Sequence, residues 1–254
     1  MTNYKIRLQS DGSRYHGWQE QKNTDMTIQG KLEQLLFKLT GEAVEVHGSG
    51  RTDAGVHAYG QVANFKLHEE RTEDQLLRDL NHYLPADIAV LSVEKVPERF
   101  HSRLSAVRKT YRYRIWTGEI PNVFERRFVT AFTQALDVTK MKQAADYLIG
   151  THDFTSFCGN RRFKKSAVRT IEQIRIEQKE REIDIWVTGN GFLQNMMRIL
   201  TGTLIPAGTG EIAPEQMPAI LEGRNRDLAG CTMPPEGLAL MSVEYETIRQ
   251  DTGN

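Results

Sequence analysis

The sequence contains little cysteine, no long apolar run and no excess of charge of either sign. Its 254 residues include two cysteines, Cys158 and Cys231, which lie far apart and outside any Cys-x-x-Cys pattern. They predict neither a disulfide framework nor a zinc site. No apolar stretch approaches the length of a membrane span, and residues 1–5 lack the apolar core of a signal peptide. The simplest interpretation is a globular protein of a reducing compartment, the cytoplasm.

The sequence also lacks the usual motifs for a metal ion or a nucleotide cofactor. Its seven histidines are scattered singly, and none forms a helical pair beside a glutamate. The glycine-rich residues 48–55 fail the phosphate-loop pattern, because Val56 and His57 follow them in place of Lys and Ser or Thr. They fail the dinucleotide pattern too, since Asp53 occupies the place of the third glycine. We therefore expect no metal and no cofactor.

Basic residues are unevenly distributed, although their number, 33, equals that of the acidic residues. Zero net charge argues against a nucleic-acid partner, but residues 99–118 and 154–171 contain no acidic side chain. Aromatic residues alternate with the basic ones there, which is typical of grooves that follow an RNA backbone. The alternative is two solvated surface runs. The basic residues of the two stretches are Arg99, Arg103, Arg108, Lys109, Arg112 and Arg114, then Arg161, Arg162, Lys164, Lys165 and Arg169.

Apolar spacing and turn residues predict an α+β protein in which the order βαββαβ occurs twice. In the first half, strands are predicted at residues 4–8, 43–46, 61–67 and 88–96. Helices follow the capping residues Thr27 and Thr72, the first ending at Gly41. In the second half, strands are predicted at residues 110–116, 169–178, 183–188 and 238–245. Helices are predicted from Thr139, over residues 192–204, and from Pro214.

This duplication indicates two ferredoxin-like or RRM-like halves, which we place at residues 1–104 and 105–254. A carboxylate, Asp53, lies in the glycine-rich loop of the first half, two residues after Arg51. A nearby guanidinium favours the ionised carboxylate, as a nucleophile or a general base requires. The alternative is a solvated turn, in which aspartate is common.

The complete string Gly-Arg-Thr-Asp-Ala-Gly-Val-His at residues 50–57 resembles the catalytic loop of the tRNA pseudouridine synthase A (TruA) family. Further segments resemble that family in the same order along the whole chain. They are Tyr-His-Gly-Trp-Gln at 15–19, Gln-Gly-Lys-Leu-Glu at 29–33, Phe-His-Ser-Arg at 100–103, Tyr-Arg-Tyr-Arg at 111–114, Asp-Phe-Thr-Ser-Phe at 153–157, Gly-Phe-Leu-Gln-Asn-Met-Met-Arg at 191–198 and Glu-Gly-Leu at 236–238.

The resemblance implies a pseudouridine synthase fold with a central cleft, and it implies roles for four residues. Asp53 would be the essential catalytic carboxylate, with Arg198 as its ion-pair partner. Arg51 would bind RNA phosphate or help the target nucleotide leave its stack. Tyr111 would stack on the target base. The family acts without a cofactor on uridines at tRNA positions 38, 39 and 40, in the anticodon stem-loop, and works as a homodimer.

The residues themselves support some of these roles and leave others open. Arg198 stands among methionines on a predicted helix, where an arginine most often covers apolar neighbours at the surface. If it is buried it needs a carboxylate partner, and Asp53 is a candidate. Arg108 and Lys109 belong to the first basic stretch, and we predict that both bind the RNA substrate.

Two rival functions remain. A non-catalytic RNA-binding protein with two RRM-like halves would not require Asp53, and it would normally carry a Gly-Phe-Gly-Phe type segment, which is missing. A glycoside hydrolase normally uses two carboxylates as a pair, and only Asp53 stands out.

Overall fold

The computed structural model describes residues 1–246, which form ten β-strands and five α-helices in one mixed α+β fold. The strands are β1 (Thr2–Ser10), β2 (His47–Gly48), β3 (His57–Leu67), β4 (Ile88–Val96), β5 (Ala106–Trp116), β6 (Thr130–Ala131), β7 (Gly150–Asp153), β8 (Val168–Lys179), β9 (Glu182–Gly189) and β10 (Leu238–Tyr245). The helices are α1 (Ile28–Thr40), α2 (Glu73–Tyr83), α3 (Val138–Asp146), α4 (Met196–Thr209) and α5 (Met217–Glu222).

The strands form one sheet in the order β4-β1-β3-β10-β5-β9-β8-β7, with β2 also paired to β3 and β6 to β5. The four strands β1 to β4 have the spatial order fourth, first, third, second. The strands β5, β8, β9 and β10 repeat the same spatial order. Two ferredoxin-like βαββαβ halves are therefore present, which confirms the predicted fold class.

The two halves join where the last strand of the second half meets the third strand of the first. Strand β10 pairs antiparallel with β5 and parallel with β3, through Ala239 opposite His57 and Leu240 opposite Ala58. Only the start of β3 takes part in this contact, so β3 leaves β10 shortly after residue 58. The loop that precedes β3 therefore lies where the two halves meet.

Each half has its own hydrophobic core. Side chains of α1 and α2 pack with β1, β3 and β4, with Leu32, Leu36 and Phe65 almost fully buried. Side chains of α3 and α4 pack with β5, β8, β9 and β10 in the second core. Local signals explain the first helix: the Thr27 hydroxyl accepts a hydrogen bond from the Gly30 amide, and Gly41 ends the helix at φ 76°.

The predicted strand at residues 43–46 is wrong. Only the two-residue strand β2 pairs with β3 there, through His47 and Gly48. The amide of Val46 donates to the carboxylate of Glu33 on α1 at 2.8 Å. A helix side chain thus accepts one of the backbone hydrogen bonds of this segment, which a neighbouring strand would accept if the segment belonged to the sheet.

In the second half, the starts of all three helices differ from the prediction, and α5 begins at Met217 after a single 3-10 turn at Pro214–Gln216. Helix α3 is capped by Asp137, whose carboxylate accepts from the amides of residues 139 and 140, so Thr139 is not the cap. Helix α4 begins at Met196 because Asn195 has a left-handed backbone, φ 59°. The short strands β6 and β7 were not predicted. The hairpin of β8 and β9 and the last strand are confirmed.

Within residues 1–246, no helix is both long and apolar enough to cross a membrane.

Candidate active site

The Asp53 loop is held against the first half by its backbone. The amide of Trp18 donates to the carbonyl of Thr52 at 3.0 Å, and the amide of Val56 donates to the carbonyl of Asp53 at 3.1 Å. A side chain at Gly17 would place its Cβ 2.6 Å from the Thr52 oxygen, so only glycine permits this close approach. The loop is therefore a fixed support for the carboxylate and not a solvated turn.

The end of the loop is anchored by the buried side chain of His57. Its Nδ1 accepts a hydrogen bond from the Gly12 amide at 3.0 Å, and its Nε2 lies 2.7 Å from the Arg127 carbonyl oxygen. Because Nδ1 accepts, Nε2 must carry the proton that is donated to Arg127, and the ring is neutral. Burial lowers the pKa of His57, which favours the same neutral form.

We expect His57 to make the protein sensitive to acid. A histidine whose folded pKa lies below its ordinary value of 6.5 contributes stability above that pH and loses it as the pH falls through the folded value. His57→Gln keeps an acceptor and a donor but cannot titrate. Its free energy of unfolding in urea should fall less than that of the wild type between about pH 7.5 and pH 5. His82 is exposed, and His82→Gln should show the same change in free energy of unfolding with pH as the wild type. If that change is equal for the wild type and both variants, His57 is not the group that makes the protein sensitive to acid.

Asp53 and Arg198 form the central ion pair. An Arg198 Nη1 lies 3.7 Å from Asp53 Oδ2, and the two side chains are 16% and 31% exposed, respectively. The Arg198 Nε donates to the Met233 carbonyl at 2.5 Å, which fixes the guanidinium. Burial raises the pKa of Asp53, and the charge of Arg198 opposes that rise. The structure thus brings together the two residues that the sequence placed in different halves.

A cavity of about 550 Å³ opens beside Asp53 and lies between the two halves. Its wall includes Tyr111, Phe192, Met196 and Met197, and within residues 1–246 Asp53 is the one carboxylate that lines it. The rings of Tyr111 and Phe192 meet edge to face, with centroids 4.9 Å apart. A single carboxylate in a pocket that combines apolar and aromatic side chains with cations fits a flat heterocyclic ligand. It does not supply the second carboxylate that the glycoside hydrolase hypothesis needs.

Tyr111 belongs to the core of the second half as well as to the cavity. It is 7% exposed, and burial together with the charge of Asp53 raises the pKa of its phenol. The phenol therefore stays protonated at neutral pH and can donate a hydrogen bond. Tyr111 thus lies in the same cavity wall as Asp53, and its contact with a base stays a prediction.

The other predicted site residues occupy different positions. Arg51 is exposed and lines the cavity. Lys109 is largely buried behind the loop, where its Nζ donates to the Ser49 carbonyl at 2.6 Å. Arg108 is turned away, because consecutive residues of β5 point to opposite faces of the sheet. It forms ion pairs of 2.6 Å with Glu172 and 2.9 Å with Glu244. The structure does not bring Arg108 to the cavity, so its predicted role in substrate binding has no support in the geometry.

Sequence reasoning did not single out three cations that line the same cavity, namely Arg103, Lys165 and Arg169. The available signal was their membership of the two acid-free stretches, but those stretches contain eleven basic residues in all. Within residues 1–246, no group of three or more His, Cys, Asp or Glu side chains is arranged to hold a metal ion.

The comparisons with known proteins agree with this geometry. A profile of tRNA pseudouridine synthases matches residues 9–104 and 144–246. Curated relatives include tRNA pseudouridine synthase A of Bacillus sp. (strain KSM-64), 48% identical, and tRNA pseudouridine synthase A 2 of Bacillus anthracis, 44% identical. Each alignment covers 96% of this chain and 100% of the relative. The chain belongs to the tRNA pseudouridine synthase family.

A relative from Acetivibrio thermocellus, also a tRNA pseudouridine synthase A, is 41% identical over 245 residues. Among solved structures, a chain of a Cbf5-Nop10-Gar1 complex aligns with 95% of this chain and 50% of its own length. Its TM-score is 0.39 and its sequence identity is 12%, which is too low to bear on the argument.

Proposed function

We propose that this protein converts uridine to pseudouridine in tRNA, with Asp53 as the essential carboxylate. The observation that carries the proposal is the ion pair of Asp53 with Arg198 at an aromatic cavity between the two halves. Membership of the family supports it independently. The chain would then be an isomerase, because the product contains the same atoms as the substrate.

The reaction breaks the bond between N1 of uracil and C1′ of ribose, rotates the base and forms a bond between C5 and C1′. The proton on C5 is lost and N1 gains one, so atoms and charge balance. Ionised Asp53 can add to C6, add to C1′ or remove the 2′ proton, and each route needs a carboxylate with limited access of water. The fixed Arg198 keeps that carboxylate ionised in the half-buried site.

A target base within a stem must leave its stack to reach Asp53, at a cost of about a few kcal/mol. An aromatic surface can offset about 1–3 kcal/mol of this cost. Tyr111 and Phe192 supply such a surface beside the carboxylate. Arg51, exposed at the same cavity, would contact the RNA backbone or take the place of the extruded nucleotide.

The proposal extends to the substrate site and the assembly. The anticodon stem-loop, at tRNA positions 38, 39 and 40, is the target implied by the resemblance of the motifs. We further propose a cytoplasmic homodimer, which sedimentation equilibrium of the purified protein tests. Residues 1–104 would carry the Asp53 loop, and residues 105–254 would complete the cleft. The separate hydrophobic cores of the two halves support this division.

The direct test uses unmodified tRNA transcripts labelled with tritium at C5 of uridine. We expect tritium release with wild-type protein, and mapping of the product should place pseudouridine at positions 38, 39 or 40. Release from other positions would move the proposed target. Binding of tRNA without any release would favour the RNA-binding hypothesis instead.

A further inference from the structure

Several cations around the Asp53 cavity are not paired with carboxylates. Arg103, Lys165 and Arg169 line the cavity. Lys109 lies behind the Asp53 loop, where its Nζ donates to the Ser49 carbonyl, and the charges of Arg103 and Arg169 repel it. Within residues 1–246, none of these four side chains forms an ion pair, whereas Arg108, one position from Lys109, forms two. Arg103 and Lys165 are exposed and Arg169 is half-buried, and such a cluster of cations without counter-charge attracts an anionic ligand.

Lys109 shows how strong the excess of positive charge is. Its ammonium group donates to one backbone carbonyl, that of Ser49, and the charged side chains that act on it from other elements are Arg103 and Arg169. Burial, followed by the charges of Arg103 and Arg169, lowers its pKa from 10.5 to about 8. An anion bound among the three cations would remove this repulsion.

Arg169 is placed to receive such an anion. It is half-buried at the start of β8, and one of its Nη atoms donates to the carbonyls of Ser166 and Val168 at 3.0 and 2.6 Å. Burial lowers its pKa. The guanidinium is therefore held by backbone atoms, with its charge uncompensated and with further N–H groups left to donate.

We propose that Arg103 and Arg169, which line the cavity, bind the phosphodiester group beside the extruded uridine, and that Lys109 behind the Asp53 loop adds a third positive charge. This inference rests on the proposed function. Guanidinium groups bind phosphate oxygens through paired, charge-assisted hydrogen bonds, and a lysine adds a point charge. Because the three side chains come from the segment between β4 and β5, from β5 and from β8, the phosphate would bridge the two halves at the cavity. The ribose would thereby be fixed relative to Asp53.

The test removes one negative charge from the RNA and one positive charge from the protein, separately and together. Anticodon stem-loop RNAs carry a single neutral methylphosphonate, 5′ or 3′ of the target uridine, on a 2′-O-methyl sugar that stabilises the linkage. Binding is measured with full-length protein carrying Asp53→Asn, so that the RNA is not converted. At one of the two positions, the methylphosphonate should weaken binding about 10-fold, the scale of one charge-assisted hydrogen bond. Adding Arg169→Met should make the same modification nearly neutral, within about 2-fold.

Arg108→Met is the matched control, since Arg108 lies on the other face of the same strand. It should keep the full effect of the methylphosphonate, and it should leave the salt dependence of binding unchanged. Arg169→Met should lower the salt slope by about one unit. Arg103→Met serves as a second variant if Arg169→Met does not fold. In it, too, the methylphosphonate should have almost no effect on binding.

An undiminished methylphosphonate effect in the folded Arg169→Met and Arg103→Met variants would overturn the phosphate site. The proposed function fails differently, through absence of tritium release by the wild-type protein. If the wild-type protein is active but the methylphosphonate weakens binding equally with and without Arg169 and Arg103, the phosphate site is wrong and the proposed function stands.

Discussion

Asp53→Asn is expected to reduce pseudouridine formation by a factor of at least about 10⁴, the scale seen when an essential nucleophile or base is removed. The amide has nearly the same shape as the carboxylate but cannot attack carbon or accept a proton at neutral pH. Affinity for tRNA should stay the same or increase slightly, because a negative charge leaves a cavity whose other charged lining residues, within residues 1–246, are all cations. Tritium release measures the first effect, and filter binding of unmodified tRNA measures the second.

The matched control is Asp25→Asn, which changes an exposed aspartate paired with Lys31 at the surface. It should retain wild-type activity, because this ion pair is exposed to solvent and lies outside the cavity. Near wild-type tritium release by folded Asp53→Asn protein would remove Asp53 from the chemistry. A large loss of tRNA affinity would instead indicate that Asp53 shapes the binding surface.

The elements of the first half were largely predictable because their signals are local. Thr27 and Gly41 act on the ends of α1 within a single turn, and Thr72 does the same for α2. Helix α4 was predicted to start too early because its beginning is set by a contact distant in sequence. The amide of Gly159 donates to the carbonyl of Gln194, and the next residue, Asn195, adopts the left-handed conformation. No periodicity of apolar residues reports such a contact.

The same distinction applies to the candidate site. Asp53, Arg198 and Tyr111 were identified because the motifs around them resemble a known family. In the structure Asp53 and Tyr111 line one cavity, and Arg198 pairs with Asp53. Basic composition alone was a poor guide to individual residues. Arg108 and Lys109 are neighbours in the sequence, but the alternation of strand β5 places them on opposite faces of the sheet. Arg169 reaches the cavity only because β8 and β5 are both joined to β9.

The same geometry explains why one ion pair can hold the chemistry of the site together. Arg198 lies in the first turn of α4, in the second half, and Asp53 lies on the loop of the first half. Their contact across the cavity therefore depends on the correct joining of the halves through β10. A change that disturbs the pairing of β10 with β3 or β5 should alter the proposed catalysis in two ways, through the pKa of Asp53 and through the shape of the cavity.

Arg198→Met should make this dependence measurable. Methionine keeps the apolar stem but removes the charge that opposes the rise in the pKa of Asp53, so the pKa should rise further. Because the proposed reaction needs ionised Asp53, a higher pKa should shift the acid limb of the kcat/KM profile to higher pH. At neutral pH we expect kcat/KM to fall by about 10²- to 10³-fold, with partial recovery as the pH is raised. Tritium release across a pH series measures both effects.

Arg198→Met should also lower the free energy of unfolding, and more so at neutral pH than in acid. The folded pKa of Asp53 lies above its ordinary value of 3.8, so ionised Asp53 costs stability. This cost is absent below the ordinary pKa and reaches its full size above the folded pKa. Arg198→Met increases the cost, and the variant should therefore be destabilised more at neutral pH than in acid.

Arg198→Lys is the control for the activity profile, because it keeps the charge while losing the hydrogen bond from Nε to Met233. Its acid limb should stay close to that of the wild type. Superimposable pH profiles for wild type and Arg198→Met would show that the ion pair does not govern the ionisation of Asp53.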